Sequence, residues 1–377
     1  MVLQENILNI GLTINFDKHF LSNGLQQNII FLANCLNNIP NLKCYFLYSG
    51  KVPNLKFIDK NLCISYSEYF NNQEYSFDMV IYAGFNPGQN IHLRDKEKNK
   101  NTKFVIIQYG SELTDAIFYS LNSNVKKTQP EQVSPVDQIW TSPHHKHGIS
   151  FLKTKYKNKN VKIAPFLWDD TFILQQFKEL KLDISFEDFK SSINTKKVTV
   201  FEPNISFIKT SIIPIYIVER FEREFPMKIE SCSLICGDEL IKSSYFPSLV
   251  AYLDIYNKRP GFIKCYKRLP LLHALKTYGG LVITNQILNQ LNYLYLEILY
   301  LSLPLLHNSL ILKEFGYYYK EFDVDIAAKK IDFVLKYHSQ NIDKYNELNK
   351  NLFIKFLPNS PRNINSYEKL IKSTLNT

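Results

Sequence analysis

Short, continuously apolar runs alternate with helix-capable segments along most of the chain. Residues 7 to 16 (Ile-Leu-Asn-Ile-Gly-Leu-Thr-Ile-Asn-Phe) form such a run, Ser22-Asn23-Gly24 follows, and then Leu25, Ile29, Leu32 and Leu36 recur on one helical face. Further strands are predicted at 43–48, 77–83, 103–109, 136–141 and 161–166, mostly with helices between them. Strands that stay apolar, instead of alternating, fit a parallel sheet covered on both faces, so the chain reads as α/β. After Trp168-Asp169 a charged, helix-like stretch covers 171–195, and at Lys197 the rhythm restarts. There the pattern predicts a strand at 198–201, a helix from about 209 to 223, and strands at 231–236, 261–265, 281–284 and 304–306. The expected division is a Rossmann-like domain over 1–175, a hinge near 175–196, a second Rossmann-like domain over 196–350, and a tail over 351–377 in which Leu357-Pro-Asn-Ser-Pro361 marks a break before a final helix.

Length agrees with that division, because 377 residues exceed what one hydrophobic core usually supports. With 45% hydrophobic residues and 14% aromatics, disorder is not expected. The longest apolar runs, near 211–218 and 294–306, are too short or carry Glu297, so no membrane span is expected. The opening Met-Val-Leu-Gln-Glu lacks the features of a signal peptide, and a cytoplasmic site (host cytoplasm for a viral protein) is the default expectation. Cys35, Cys44, Cys63, Cys232, Cys236 and Cys265 show no metal-ligand spacing and read as reduced thiols. The net charge of +10 admits a polyanionic partner such as DNA. A Lys-, Asn- and Ile-rich composition raises Lys without functional demand, however, and the densest basic group, Lys96 to Lys103, reads as a solvated loop.

Candidate chemistry gathers where predicted strands end, since open α/β sheets bind ligands at the carboxyl edge. Phe201-Glu202-Pro203-Asn204-Ile205-Ser206 ends the first strand of the second half. Asn204, Ser206 and Lys209 are expected on the loop and first turn of the next helix, either as its N-cap or as phosphate ligands, with Lys209 supplying a point charge. Asn285, Gln286, Asn292 and Tyr293 lie between a strand and the helix bearing Glu297, and His307-Asn308 closes the strand after it. In the first half Gly24 and Asn28 lie at the first strand–helix turn, and Gln108-Tyr109-Gly110-Ser111-Glu112 follows a later strand. Glu112, His144 or His145 could serve as a general base. Asp323-Val-Asp325 imitates a metal motif but fits a helix N-cap, and no metal or cofactor is expected.

As a set, Ala164-Pro-Phe-Leu-Trp168-Asp, Phe201-Glu-Pro-Asn-Ile-Ser, Asn285-Gln286 with Leu291-Asn-Tyr-Leu-Tyr-Leu-Glu297, Leu303-Pro-Leu-Leu-His-Asn308 and Gly316-Tyr-Tyr-Tyr resemble DUF2827, a phage and bacterial family similar to GT-B glycosyltransferases. The resemblance implies two Rossmann-like domains facing a central cleft and a tail that crosses back to the first. It implies a nucleotide-sugar donor (a UDP- or GDP-sugar) held by the second domain, with Glu297 on the ribose and Asn204, Lys209, Asn285 and Gln286 near phosphate or sugar. The acceptor, most simply a glycan hydroxyl, would lie on the first domain near Gly24, Asn28, Gln108, Tyr109 and Trp168. Many retaining members of that fold carry a second Glu eight residues before the ribose acid, where this chain has Asn289. Transfer to hydroxylated bases of phage DNA, and a non-catalytic nucleotide- or glycan-binding protein, are the alternative expectations.

Overall fold

A computed structural model describes residues 7–17, 24–72, 74–121 and 135–376. The chain divides into two compact units, Met1–Asp169 with Ile354–Thr377, and Asp170–Phe353.

The first unit runs β1 (Leu8–Phe16), α1 (Gly24–Asn37), β2 (Leu42–Gly50), β3 (Cys63–Ser65), α2 (Tyr66–Asn71), β4 (Met79–Tyr82), α3 (Gln89–Lys98), β5 (Lys103–Gln108), α4 (Glu112–Leu121), β6 (Gln138–Thr141), α5 (Ile149–Lys155) and β7 (Val161–Ile163). Its parallel sheet has the order β3-β2-β1-β4-β5-β6-β7. The central strand β1 buries Ile10, Leu12, Thr13 and Ile14 on both faces, which is why its sequence does not alternate. Strand order reverses between β1 and β4. There Gly84 is obligatory, since a Cβ would lie 2.8 Å from the Cα of Ile14. Thr13 Oγ1 accepts from the Ala83 amide at 2.9 Å and donates to the Phe85 carbonyl at 2.9 Å, which fixes the exit of β4.

The second unit runs α6 (Thr171–Glu179), α7 (Phe186–Ser192), β8 (Lys197–Val200), α8 (Ile212–Glu224), β9 (Ser231–Ile235), α9 (Asp238–Lys242), α10 (Phe246–Ala251), α11 (Asp254–Lys258), β10 (Ile263–Tyr266), α12 (Leu271–Tyr278), β11 (Leu281–Ile283), α13 (Tyr293–Tyr300), β12 (Leu305–His307), β13 (Tyr317–Tyr318), α14 (Val324–Tyr337) and α15 (Ile342–Ile354). Its parallel sheet has the order β10-β9-β8-β11-β12-β13. Val198, Val200, Leu281 and Ile283 from the middle strands pack with Ile217, Val218 and Phe221 of α8 in one core. Residues 171–192 are folded into α6 and α7, whose Phe172, Ile173 and Phe189 are buried.

The chain ends in α16 (Pro361–Leu375), capped by Ser360 with Pro361 in its first turn. This helix belongs to the first unit. Tyr367 Oη donates to the Pro165 carbonyl at 2.8 Å, and Thr374 Oγ1 donates to Gln138 Oε1 at 2.9 Å.

Candidate nucleotide site

In the second unit the strand order reverses between β8 and β11, the place where an open α/β sheet leaves a crevice at its carboxyl edge. Two loops leave from that point. Glu202, just past β8, is fully buried; it accepts from Thr284 Oγ1, just past β11, and from Gln286 Nε2 at 3.3 Å. The loop backbones also pair, Lys209 bridging both Ser206 and Gln286, and the Ile287 amide donating to the Ile208 carbonyl at 2.9 Å.

Asn204 takes a left-handed φ of 56°, which Asn tolerates better than most residues. Its amide nitrogen lies 2.7 Å from the Glu202 carbonyl, 3.0 Å from Ser211 Oγ and 3.2 Å from the Cys236 carbonyl, and its oxygen accepts from the Ser211 amide at 2.8 Å. These bonds draw Ser211 into the N-cap position, so α8 starts at Ile212 and not near 209. Asn204, Ser206 and Lys209 therefore stand on a folded loop ahead of the helix. Neither Asn204 nor Ser206 is its N-cap, and Asn204 is consumed in holding the loop.

Lys209 is different, because its ammonium makes no hydrogen bond among the described residues. Burial lowers its pKa, the carboxylate of Glu202 opposes that, and the charge of Arg268 adds to it. The Glu202 carboxyl is pushed up to about 7 by burial, against the Thr284 bond and the charge of Lys209. Arg268 is exposed on the loop after β10. Its charge acts on both Lys209 and Cys236, so two basic side chains stand near this edge, a setting suited to a diphosphate.

Glu297 sits in the middle of α13, 7% exposed, and its carboxylate makes no hydrogen bond among the described residues. Burial alone raises its carboxyl to about 7. A carboxylate this deeply buried without donors is costly, and such groups cluster at ligand sites. Asn292 caps the same helix, accepting from the Leu294 amide at 3.2 Å, and Tyr293 is buried.

Several expected ligands are spent elsewhere. Asn285 donates to Tyr319 Oη at 3.1 Å and to the Glu321 carbonyl at 2.8 Å. Asn308 imitates a strand, pairing with the amide and carbonyl of Gln286 at 3.0 Å each. His307 accepts from the Ser309 amide at Nδ1 (3.1 Å), so its Nε2–H donates to the Phe315 carbonyl (2.8 Å), and burial pushes its pKa down to about 4. It is a neutral staple of the loop, not a pocket group. Asn204, Asn285, His307 and Asn308 thus each hold the loops together in this structure. Asp323 caps α14 through the Ile326 amide, and no cluster of three or more His, Cys, Asp or Glu among the described residues is arranged to hold a metal.

In the first unit the expected bases are also committed. Glu112 accepts from Lys155 Nζ and Tyr156 Oη, both at 2.6 Å, and from Gln108 Nε2, so it is a part-buried ion-pair centre whose Oε1 takes two of the three bonds. Gln108 is bound into that network. His144 is buried, its ring 3.9 Å from that of His145 at a tilt of 47° and edge-on to Phe166. Tyr109 is half-buried, and burial raises its hydroxyl pKa. Trp168 is a core residue, 2% exposed. Gly24 opens α1, where its carbonyl accepts from Asn28 Nδ2 at 2.8 Å; Asn23 lies outside the described residues.

The family model for DUF2827, "protein of unknown function", matches residues 10–371. The chain belongs to the DUF2827 family. None of the curated protein sequences matches this DUF2827 protein. Its structure resembles a glycosyltransferase from Rickettsia africae (14% identity over 99% of this chain and 100% of that one, TM-score 0.59). It also resembles the N-terminal domain of Candida albicans trehalose-6-phosphate phosphatase (12%, 99% and 98%, TM-score 0.58) and Anabaena HepE in complex with UDP-glucose (11%, 98% and 99%, TM-score 0.53). At such identities the likeness establishes a fold, two Rossmann-like parallel sheets as in GT-B glycosyltransferases. No helix among the described residues is long and apolar enough to cross a membrane.

Sequence reasoning passed over Glu202 and Arg268. Glu202 was visible as an acid at a strand end, whereas Arg268 is one of 45 basic residues and had only its place after a strand to mark it.

Proposed function

We propose that this DUF2827 protein is a glycosyltransferase that moves a sugar from a nucleoside-diphosphate donor, a UDP- or GDP-sugar, to a hydroxyl acceptor. The observation that carries this reading is Glu297, a buried carboxylate without a donor among the described residues, on the helix that follows β11. Its two oxygens match the two hydroxyls of a ribose, and ionised carboxylates form the stronger class of hydrogen bond. In transfer, the bond from the anomeric carbon to the diphosphate oxygen breaks as the acceptor oxygen bonds to that carbon and gives up its hydroxyl proton to water, leaving an extra negative charge on the departing diphosphate. Lys209 and Arg268 supply the positive charge that stabilises it, in a site where burial strengthens electrostatics. Glu202 and Gln286 act as positioning residues that brace the Lys209 loop.

The test is thermal-shift screening of the purified protein against UDP-, GDP-, ADP- and dTDP-sugars. A donor at a hundredfold excess over its Kd adds about 2.7 kcal/mol of stability. For units of this size that raises Tm by about 5–10 °C. The shift should be selective for one nucleotide and vanish in Glu297→Ala. No shift with any of the four nucleotides would sink the reading.

A further inference from the structure

Of the residues expected on the acceptor side, Gln108 is bound into the Glu112 network and Trp168 is a core residue. The first unit has instead a groove of about 560 Å³ along the ends of β2 and β3 and the exit of β4. That volume is in the range of small-molecule sites, and the groove lies beside the β1/β4 reversal of strand order. Four aromatic side chains, Tyr48, Tyr66, Phe70 and Phe85, line it, each half-buried with area left to offer. Their rings are held by neighbours: Tyr66 meets Phe85 edge-on at 5.1 Å and Tyr69 at 5.8 Å, and Tyr48 meets Phe16 at 5.9 Å. Between them stand the hydroxyls of Ser49 and Ser67 and the exposed amide of Asn71, which makes no hydrogen bond among the described residues. None of the lining side chains carries a charge, in a protein whose net charge is +10.

Aromatic faces beside neutral donors and acceptors match a pyranose, which has an apolar C–H face and a hydroxyl rim. They do not match a nucleic acid, whose affinity comes from lysine and arginine on phosphates. We propose that this groove binds an uncharged sugar ring and seats the acceptor. The acceptor role, though not the binding, rests on the transferase reading above.

The test uses saturation-transfer NMR on the full chain without nucleotide. Probes are methyl glucoside, methyl galactoside, methyl mannoside and methyl N-acetylglucosaminide, with a heparin tetrasaccharide and single-stranded DNA as charged comparisons. Two variants accompany it: Ser67→Arg, which places a bulky charge on an exposed rim position, and Phe70→Ala, which removes a ring face. Saturable transfer from at least one neutral glycoside is expected, with Kd rising at least about tenfold in both variants. The Tm of Ser67→Arg and its shift with donor nucleotide should stay as in the wild type. Silence from all four neutral glycosides, or binding that both variants retain, would overturn the proposal. Preferential binding of heparin or DNA that Phe70→Ala weakens would overturn it too, in favour of an anionic acceptor. If sugar binding stands while no nucleotide shifts Tm, the groove survives and the transferase reading falls.

Discussion

Glu297→Gln should stabilise this protein at alkaline pH and impair it as a nucleotide binder. Burial moves the Glu297 carboxyl from 4.5 to about 7. Below pH 4.5 the side chain is neutral in both folded and unfolded chains and contributes nothing. Between 4.5 and 7 the unfolded chain gives up its proton while the folded one keeps it, so stability falls as pH rises. Above about 7 the cost is complete, and the difference corresponds to about 3 kcal/mol, an upper figure because water penetration softens it. Glutamine keeps the shape of the protonated acid but cannot ionise, so it escapes that cost. Urea or thermal unfolding at pH 5 and 8.5 reads the effect. The variant should match the wild type within about 1 kcal/mol at pH 5 and exceed it by about 2–3 kcal/mol at pH 8.5, or about 5–10 °C in Tm. Glu202 is also raised to about 7, but it is present in both proteins and cancels in the difference. Nucleotide affinity should fall at least about tenfold, the loss of one or more charge-assisted bonds. A difference in stability that stays the same at both pH values would show the carboxylate to be served by donors within the protein and would refute the reasoning.

Lys209→Met should weaken a nucleoside diphosphate by about tenfold or more while leaving the unphosphorylated nucleoside unaffected, as measured by calorimetric titration; equal losses for both would remove Lys209 from the phosphate. Glu112→Gln should cost about 2–3 kcal/mol in urea, because the Lys155 ammonium, 14% exposed, loses its counter-charge. Nucleotide-induced Tm shifts should persist, and a variant of full stability but no transferase activity would return Glu112 to the role of base. Asn204→Ala should destabilise by about 2–3 kcal/mol through loss of the loop bonds and strain at φ 56°, and Asn204→Gly should recover about 1 kcal/mol of that; identical losses would mean the backbone conformation contributes nothing.

The order of elements was readable because it depends on local information. Apolar runs at 7–16, 77–83 and 103–109 became β1, β4 and β5, and the runs at 198–201 and 281–284 became β8 and β11, each within a few residues. Short edge strands escaped notice: β3 and β13 have three and two residues, too few for a periodic signal, and β13 lies inside the tyrosine cluster 317–319. Tyr319 from that cluster is a core residue whose hydroxyl donates to the Thr284 carbonyl at 2.7 Å.

Amino-acid order by itself determined that the chain makes two α/β halves with polar residues gathered at strand ends, because a parallel sheet needs continuous apolar strands and ligands bind where those strands stop. It placed Glu297 on a helix and Lys209 on the loop after β8. Which of the polar residues remain available was decided only by tertiary structure, since a side chain's hydrogen-bond partners come from distant segments. Asn204, Asn285, His307 and Glu112 found partners within the protein. Glu297 found none among the described residues, and the same folding that denied it partners left it only 7% exposed.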